Sequence, residues 1–201
     1  MSAMPDAEDG TFEDVDRARA DLYALLARIF YGAPDAMMLE LIAHERHAEG
    51  AVLAMAWNAL AAAAATAAAA AVRQEYDDVF IGTGKAEITP YATYYLAQSG
   101  REKILVQLRQ ELAALGLARN EAAREPEDHI AGLFDVMRHL VLAGSSDAAM
   151  QHQRQFFDRF IGPFYARFCE AVVKSERADF YKPVAGLTQV FLDIESEALK
   201  V

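Results

Sequence analysis

The sequence predicts an all-α protein with one compact domain of about eight to ten helices. Apolar residues recur at helical spacing along almost the whole chain, and no stretch alternates apolar and polar residues as a half-buried strand would. No fixed-period repeat occurs. The 201 residues suffice for one sizeable core, and 54% hydrophobic against 24% charged residues is typical of a globular chain.

The first helix is predicted from about Phe12 to Tyr31. Its apolar face consists of residues at i, i+3, i+4, i+7 and i+8: Leu22, Leu25, Leu26, Ile29 and Phe30. Gly32 and Pro34 end this helix. Residues 1–11 are predicted to form a disordered acidic N-terminus.

A short second helix carries four apolar residues, which are Met37, Met38, Leu41 and Ile42. The uncharged, alanine-rich segment Ala51–Val72 follows. Alanine is the strongest helix former but is barely apolar enough to drive membrane insertion. We therefore expect a tightly packed helix rather than a membrane span, and the pattern allows a break before Glu75–Phe80.

A loop from Gly82 leads to Pro90, which is predicted to occupy the first position of a short helix Tyr91–Leu96. The next helix begins near Ser99, and its apolar stripe consists of Ile104, Leu105, Leu108, Leu112 and Leu115. The polar stretch 117–126 has no stripe. It is predicted to be a hinge between an N-terminal helical half, 12–117, and a C-terminal helical half, 126–201.

The C-terminal half is predicted to contain four helices. The first buries six residues: Ile130, Leu133, Phe134, Met137, Leu140 and Val141. The second is capped by the segment 145–147 and ends at Gly162–Pro163. The third carries Phe164, Phe168 and Val172, and the fourth presents Phe180, Val184, Leu187, Phe191 and Ile194.

Charge and cysteine content exclude several classes of protein. The net charge of −11 disfavours nucleic acid as a partner, because phosphate contacts need clustered basic residues. The single cysteine, Cys169, excludes a disulfide framework and is predicted to be a plain buried thiol. Residues 1–16 do not resemble a secretory signal, and the chain has no Arg-Arg pair of its own.

Two alternative functions are suggested by local patterns. Gly82–Lys85 (GTGK) resembles part of a phosphate-binding loop, but Val79 replaces the first glycine and Ala86 the final hydroxyl. An ordinary loop is the preferred interpretation, and a weak nucleotide hydrolase that uses Lys85 is one alternative. His44 and His47 could hold a metal at i, i+3, although a solvated helix end is preferred.

Two further features are more informative. Aromatic residues cluster on either side of the loop: Tyr76, Phe80, Tyr91, Tyr94 and Tyr95. Glu125–Ile130 (EPEDHI) places three carboxylates and a histidine at the start of a helix, with Pro126 near its first position. Acidic groups are favoured there by the helix dipole, so capping is the simplest interpretation of this segment taken alone.

Together, these segments resemble the TorD/DmsD family of molybdoenzyme maturation chaperones. The family pattern Y-x-x-L-F-x-G appears here as Tyr76–Gly82 (YDDVFIG), and P-Y-E-S-x-Y appears as Pro90–Tyr95 (PYATYY). The family pattern E-P-x-D-H-I is matched by Glu125–Ile130. In this chain Val79 replaces the leucine and Ala92 replaces the acidic residue.

The resemblance implies a cytoplasmic chaperone without catalysis. It would bind the twin-arginine signal peptide and the apo form of a molybdoenzyme's catalytic subunit until the cofactor is inserted. No resident cofactor is implied, while weak contact with GTP or the molybdopterin cofactor stays open. The chain is expected to be a monomer or a hinge-swapped homodimer, with no stable membrane insertion.

The resemblance also implies a signal-peptide site. An apolar groove is expected from Tyr76, Phe80, Pro90 and Tyr91, next to Thr93 and Tyr95. Carboxylates are expected to attract the arginines, and these are Asp128, Glu125 and Glu127. His129 is expected to bond peptide backbone or to order the hinge.

Overall fold

The computed structural model describes residues 7–45, 51–82, 84–96, 101–117 and 125–200. The described residues form ten α-helices and one π-helical turn, Asp77–Ile81. The helices are α1 Ala7–Tyr31, α2 Ala36–His44, α3 Val52–Thr66, α4 Ala69–Tyr76, α5 Ala92–Leu96, α6 Arg101–Ala114, α7 Ile130–Leu142, α8 Asp147–Phe160, α9 Tyr165–Lys174 and α10 Tyr181–Ala198.

Helix α1 packs along α7 and supplies much of the core. Tyr23 is fully buried, and its ring lies 5.9 Å from that of Phe134 in α7 and 4.8 Å from that of Phe191 in α10. The helix begins at Ala7 rather than near Phe12, so residues 7–11 are helical and not a disordered tail. Alanine and glutamate at 7 and 8 are good helix formers, which allows this earlier start.

The alanine-rich segment forms two helices, separated by a break before Glu75 of the kind that the sequence pattern allows. α3 ends at Thr66, and Ala67 and Ala68 have extended backbones before α4 begins. The small side chains of α3 allow close packing against α2 and α10. Among the described residues, no single helix is long and apolar enough to cross a membrane. Only α3 and the segment Ala69–Ile81 reach that length together, and they are bent by 114°.

A tight turn follows the π-helical turn and depends on one glycine. The Gly82 N–H donates to the Asp77 carbonyl over 2.7 Å, and Gly82 has φ +64°. A Cβ on Gly82 would lie 2.1 Å from the carbonyl oxygen of Lys85. The loop then returns to the turn, because the Ile88 N–H donates to the Val79 carbonyl over 2.9 Å. The predicted ordinary loop is confirmed, and both of its glycines, Gly82 and Gly84, have positive φ.

The C-terminal half follows the predicted order of helices. The Ser146 hydroxyl accepts a hydrogen bond from the Ala149 N–H over 3.3 Å and caps α8, and α8 ends before Gly162–Pro163. α9 and α10 pack on each other, and α10 also contacts α3. The predicted single, compact all-α domain is therefore confirmed. The predicted hinge at 117–126 lies largely outside the described residues, which omit 118–124.

Candidate functional site

The first motif consists of Tyr76–Gly82 and Pro90–Tyr95, and the second motif is Glu125–Ile130. The two motifs meet in space through their backbones, and together they are called the motif cluster. Tyr91 and His129 form an isolated antiparallel bridge. The Ala92 N–H donates to the Asp128 carbonyl over 2.9 Å, and the Ile130 N–H donates to the Pro90 carbonyl over 2.8 Å. This pairing alters two predicted helix starts: α5 begins at Ala92, so Pro90 is not its first residue, and α7 begins at Ile130, well after Pro126.

The Asp128 side chain holds the first motif in place through hydrogen bonds to Thr93. Asp128 is 2% exposed, and Oδ2 accepts hydrogen bonds from the Thr93 hydroxyl over 2.6 Å and from the Thr93 N–H over 3.2 Å. Thr93 is buried as well. Both donors belong to Thr93 in the first turn of α5, so the Asp128 carboxylate is bonded inside the protein. This position differs from the predicted one at an open edge, where Asp128 would face a peptide arginine.

His129 caps α7 with its ring. It is 2% exposed, and Nδ1 accepts a hydrogen bond from the Ala131 N–H over 3.2 Å. The ring stands edge-on to Tyr91 with centroids 5.3 Å apart. Burial lowers the pKa of His129 to about 4, and this outweighs the opposing effect of Glu125 and Asp128. His129 is therefore a neutral acceptor at physiological pH.

The two other carboxylates of the second motif also have partners within the chain. The Tyr91 hydroxyl donates to Glu125 Oε2 over 2.5 Å, and both side chains are half-buried. Burial, followed by this hydrogen bond, raises the pKa of Tyr91 well above its usual value. Arg109 of α6 forms a two-pronged ion pair with Glu127, at 3.0 and 3.3 Å. Arg109 was not predicted, because nothing in the sequence of α6 distinguishes it.

Tyr76 and Phe80 lie in the core, below the surface on which a groove was expected. The Tyr76 hydroxyl donates to the carbonyls of Phe30 and Tyr31, at 3.2 and 3.1 Å, and burial raises the pKa of Tyr76 to about 12. Phe80 is 4% exposed, and its ring centroid lies 5.0 Å from that of Tyr181. Aromatic residues at i, i+4 also suit one buried helix face, which explains why sequence spacing cannot separate groove from core.

Tyrosine side chains form most of the solvent-accessible aromatic surface of the motif cluster. Tyr95 is half-buried and stacks on Phe164 with centroids 5.4 Å apart, and Arg167 covers its ring at 5.7 Å. Burial raises the pKa of Tyr95 to about 12. Tyr94 is 49% exposed. Pro90 is buried, and Ala92 is 1% exposed, so a packed methyl group stands where the family pattern has a carboxylate.

The alternative sites lie elsewhere. Lys85 contributes to an open pocket of about 510 Å³ whose other described lining residues are Glu87, Lys174, Glu176 and Arg177. His44 is exposed, with its Nδ1 2.7 Å from the Glu40 carbonyl, while His47 lies outside the described residues. Within the described part of the chain, no three metal-binding side chains cluster. Cys169 is buried as predicted, and burial raises the pKa of its thiol.

Comparison with known proteins gives consistent results. The chain is 28% identical to the Chaperone protein TorD of Aliivibrio fischeri (strain ATCC 700601 / ES114) over 134 residues, with 62% of each chain covered. It is also 28% identical to the Chaperone protein TorD of Shewanella loihica (strain ATCC BAA-1088 / PV-4) over 132 residues, covering 62% of this chain and 61% of that one. The matches thus span less than two thirds of these relatives.

The fold has a counterpart among solved structures. A crystal structure described as that of a redox enzyme maturation protein from Archaeoglobus fulgidus superposes with a TM-score of 0.56 and 21% sequence identity. The superposition covers 87% of this chain and 93% of the other. A family model described as Nitrate reductase delta subunit matches residues 47–170. Because this match covers more than half of the chain, the protein belongs to the nitrate reductase delta subunit family, the TorD-like family that its two motifs indicated.

Proposed function

We propose that this protein is a cytoplasmic maturation chaperone for a molybdopterin-dependent oxidoreductase. It binds the apo form of the enzyme and its twin-arginine signal peptide, and it assists cofactor insertion before export. Membership of the family and relatives named as chaperones support this role. The structural observation that carries it is the antiparallel pairing of Pro90–Ala92 with Asp128–Ile130, which joins the two family motifs into one cluster.

The chemistry of such a client suits this chain. A twin-arginine signal combines basic residues with an apolar stretch, and complementary charge on the binder increases both the association rate and the specificity. The net charge of −11 makes the protein acidic and so complementary to a basic peptide. We propose no catalytic step, since binding alone delays export and protects an unfinished enzyme.

The site residues divide into two groups by burial. Tyr76, Phe80, Pro90, Thr93, Asp128 and His129 are buried and hold the shape of the cluster. Tyr91, Tyr95, Glu125 and Glu127 are partly accessible, and we propose that these contact the client. Tyr94 lies between two of the predicted residues and offers the most exposed aromatic ring of the cluster.

Peptide binding tests this proposal. The probes are the twin-arginine signal peptides of the molybdoenzymes encoded in the same genome, measured by calorimetry. At least one should bind with a dissociation constant of about 1 µM or below. Tyr94→Ala should weaken that binding about fivefold, since aromatic anchors carry much of the energy at interfaces. The buried network should stay intact because Tyr94 is 49% exposed.

Tyr31→Ala is the matched control. Tyr31 is 46% exposed, lies at the end of α1 and belongs to neither motif. Its substitution should leave the affinity unchanged. Absence of binding to every peptide would contradict the proposed function, whereas equal affinities for the two variants would contradict only the placement of the contact at the motif cluster.

A further inference from the structure

An apolar groove lies on the N-terminal helices, and none of its described lining residues belongs to the motif cluster. The groove has a volume of about 550 Å³. Its described apolar lining comes from α1, α3 and the residue before α3: Ala18, Leu22, Leu25, Ala51, Leu53, Ala54 and Trp57. Leu22, Leu25 and Leu53 are half-buried and pack against the core from its outer side. Their exposed portions form an apolar floor that is open to solvent.

The groove has a fixed wall. Trp57 is only 8% exposed, and its indole N–H donates to the Glu45 carbonyl over 2.7 Å. This hydrogen bond joins the end of α2 to α3, and the two helices also pack on each other. The groove is therefore built from secondary structure elements that are joined by a hydrogen bond and by core packing.

Two carboxylates lie at this apolar floor. Asp21 of α1 and Glu45 at the end of α2 both line the groove and are exposed. The second-motif carboxylates are less exposed: Asp128 is buried and bonded to Thr93, while Glu125 and Glu127 are half-buried and bonded to Tyr91 and Arg109. Accessible acidic groups beside an apolar surface are thus found at the groove.

Exposed apolar side chains also occur elsewhere on α2 and α3. Met37 and Leu41 of α2 are 72% and 66% exposed, and Val52 and Met55 of α3 are 66% and 62% exposed. Methionine side chains are flexible and adapt to varied apolar partners. Exposed apolar surface of this kind, with polar groups at its edge, is typical of interaction sites.

We infer that the groove between α1 and α3 binds the basic and apolar part of the client signal peptide, with arginine side chains at Asp21 and Glu45 and the apolar stretch on Leu22, Leu25 and Leu53. The inference rests on the proposed function and specifies where the two halves of the peptide are recognised. It moves recognition of the arginines away from the carboxylates of the second motif.

The dimensions agree with this occupant. Ala18 to Leu25 spans about two turns of α1, or about 10 Å, which matches two turns of an apolar helix laid in a groove. A signal sequence of about 15–30 residues is longer than the stretch that the groove holds. Charge complementarity favours a peptide with a basic head over an acidic or neutral one.

Two variants test the inference with the tightest-binding peptide from the panel above. Ala18→Trp fills the groove from an exposed position of α1, and its matched control is Ala148→Trp, at an exposed position of α8. Asp21→Lys with Glu45→Lys reverses the charge at the groove, and its control is Glu102→Lys with Asp158→Lys, at exposed positions of α6 and α8. All four positions in the charge variants are exposed, so each protein should fold, which circular dichroism verifies.

Ala18→Trp and the groove charge reversal should each weaken binding about tenfold, while the two controls change it less than about twofold. A peptide with Gln-Gln in place of Arg-Arg should bind weakly, and the charge reversal should not weaken it further. If the wild-type protein binds a peptide and both groove variants keep that affinity, the inference is overturned and the proposed function stands. If the wild-type protein binds no peptide, both fall.

Sedimentation of the peptide-free protein adds a second readout. A concentration-dependent dimer that Ala18→Trp dissociates would show that a second copy of this chain occupies the groove, and would overturn the inference. A monomer in both cases, together with the tenfold loss of peptide affinity, would support it.

Discussion

Asp128 and His129 are neighbours in sequence and serve two different helices. The Asp128 carboxylate accepts hydrogen bonds from Thr93 at the start of α5, while the His129 ring accepts one from Ala131 at the start of α7. Both side chains are buried, so each bond forms away from water, where an unmade hydrogen bond is costly. The pair thereby couples two helices whose relative position defines the motif cluster.

The lowered pKa of His129 should make the stability of the protein depend on pH. The folded pKa of about 4 lies below the usual 6.5, so the unfolded chain binds the additional proton. The stabilising effect of the neutral ring is therefore complete above pH 6.5 and is lost as the pH falls towards 4. Protonation also removes the lone pair that accepts the Ala131 N–H. Between pH 7 and pH 5, the unfolding free energy should fall by about 2 kcal/mol from this group.

Urea denaturation at several pH values measures this effect. His129→Asn retains a side chain that can cap a helix but does not titrate. Between pH 7 and pH 5, the unfolding free energy of this variant should therefore fall by about 2 kcal/mol less than that of the wild type. His152→Asn, at an exposed position of α8, is the control and should keep the wild-type slope. Identical slopes for the wild type and His129→Asn would show that His129 is protonated as easily when folded as when unfolded.

At the scale of elements, the N-terminus of α10 is capped by a residue of α4, a helix that lies far from it in sequence. Glu75 in α4 accepts three backbone hydrogen bonds: Oε1 from the N–H groups of Asp179 and Tyr181, each at 2.8 Å, and Oε2 from Phe180 at 3.1 Å. These are unpaired donors at a helix N-terminus, where the dipole also favours negative charge. Glu75 therefore fixes the first turn of α10 against α4.

Loss of this cap should destabilise the protein measurably. Glu75→Gln removes the charge and one acceptor, and we expect the unfolding free energy to fall by about 1–2 kcal/mol. Amide hydrogen exchange should also accelerate at Phe180 and Tyr181. Glu176→Gln removes an exposed carboxylate nearby in sequence and should change neither quantity. Equal stabilities of Glu75→Gln and wild type would contradict the capping role.

At the scale of the whole molecule, an ion pair with a buried carboxylate and a partly buried guanidinium joins the first and the last described helix. Arg19 of α1 donates to Glu195 of α10 through Nε and Nη2, at 2.7 and 2.9 Å, and also through Nη2 to Gln153 of α8 at 2.9 Å. The Tyr23 hydroxyl donates to the same carboxylate over 3.0 Å. Glu195 is 1% exposed, so this network replaces all of its contact with water.

Removing one partner of this pair should cost far more than removing both. Arg19→Met leaves the Glu195 carboxylate buried with one neutral donor, and the unfolding free energy should fall by about 3–5 kcal/mol. Arg19→Met combined with Glu195→Leu should regain much of that loss. Urea denaturation of the single and double variants measures the coupling. Lys174→Met disrupts the exposed pair with Glu170 and should stay within experimental error. Additive effects at Arg19 and Glu195 would contradict a coupled pair.

Much of this architecture follows from the sequence. Periodic apolar residues identified the helices of both halves, and glycine and serine marked the turn at Gly82 and the cap at Ser146. The two motifs also indicated the family correctly. These features depend on spacing along the chain or on the chemistry of a few adjacent residues, which a sequence displays directly.

The sequence did not reveal which side of each motif faces inward. Tyr76 and Phe80 were predicted to line a groove, but they pack in the core, and Asp128 is buried against Thr93. An aromatic pair at i, i+4 fits either environment, and a carboxylate is buried only if the fold brings it a donor. Neither fact is visible in spacing alone.

The sequence by itself determined the helical fold class, the order of its elements and the family, because each depends on local periodicity and on short motifs. Only the tertiary structure decided that Asp128 and His129 are buried, that Glu75 caps α10, and that an apolar groove with exposed carboxylates lies between α1 and α3. These arrangements join residues far apart in the chain. They exist because burial makes each polar group find a partner wherever the packing of helices supplies one.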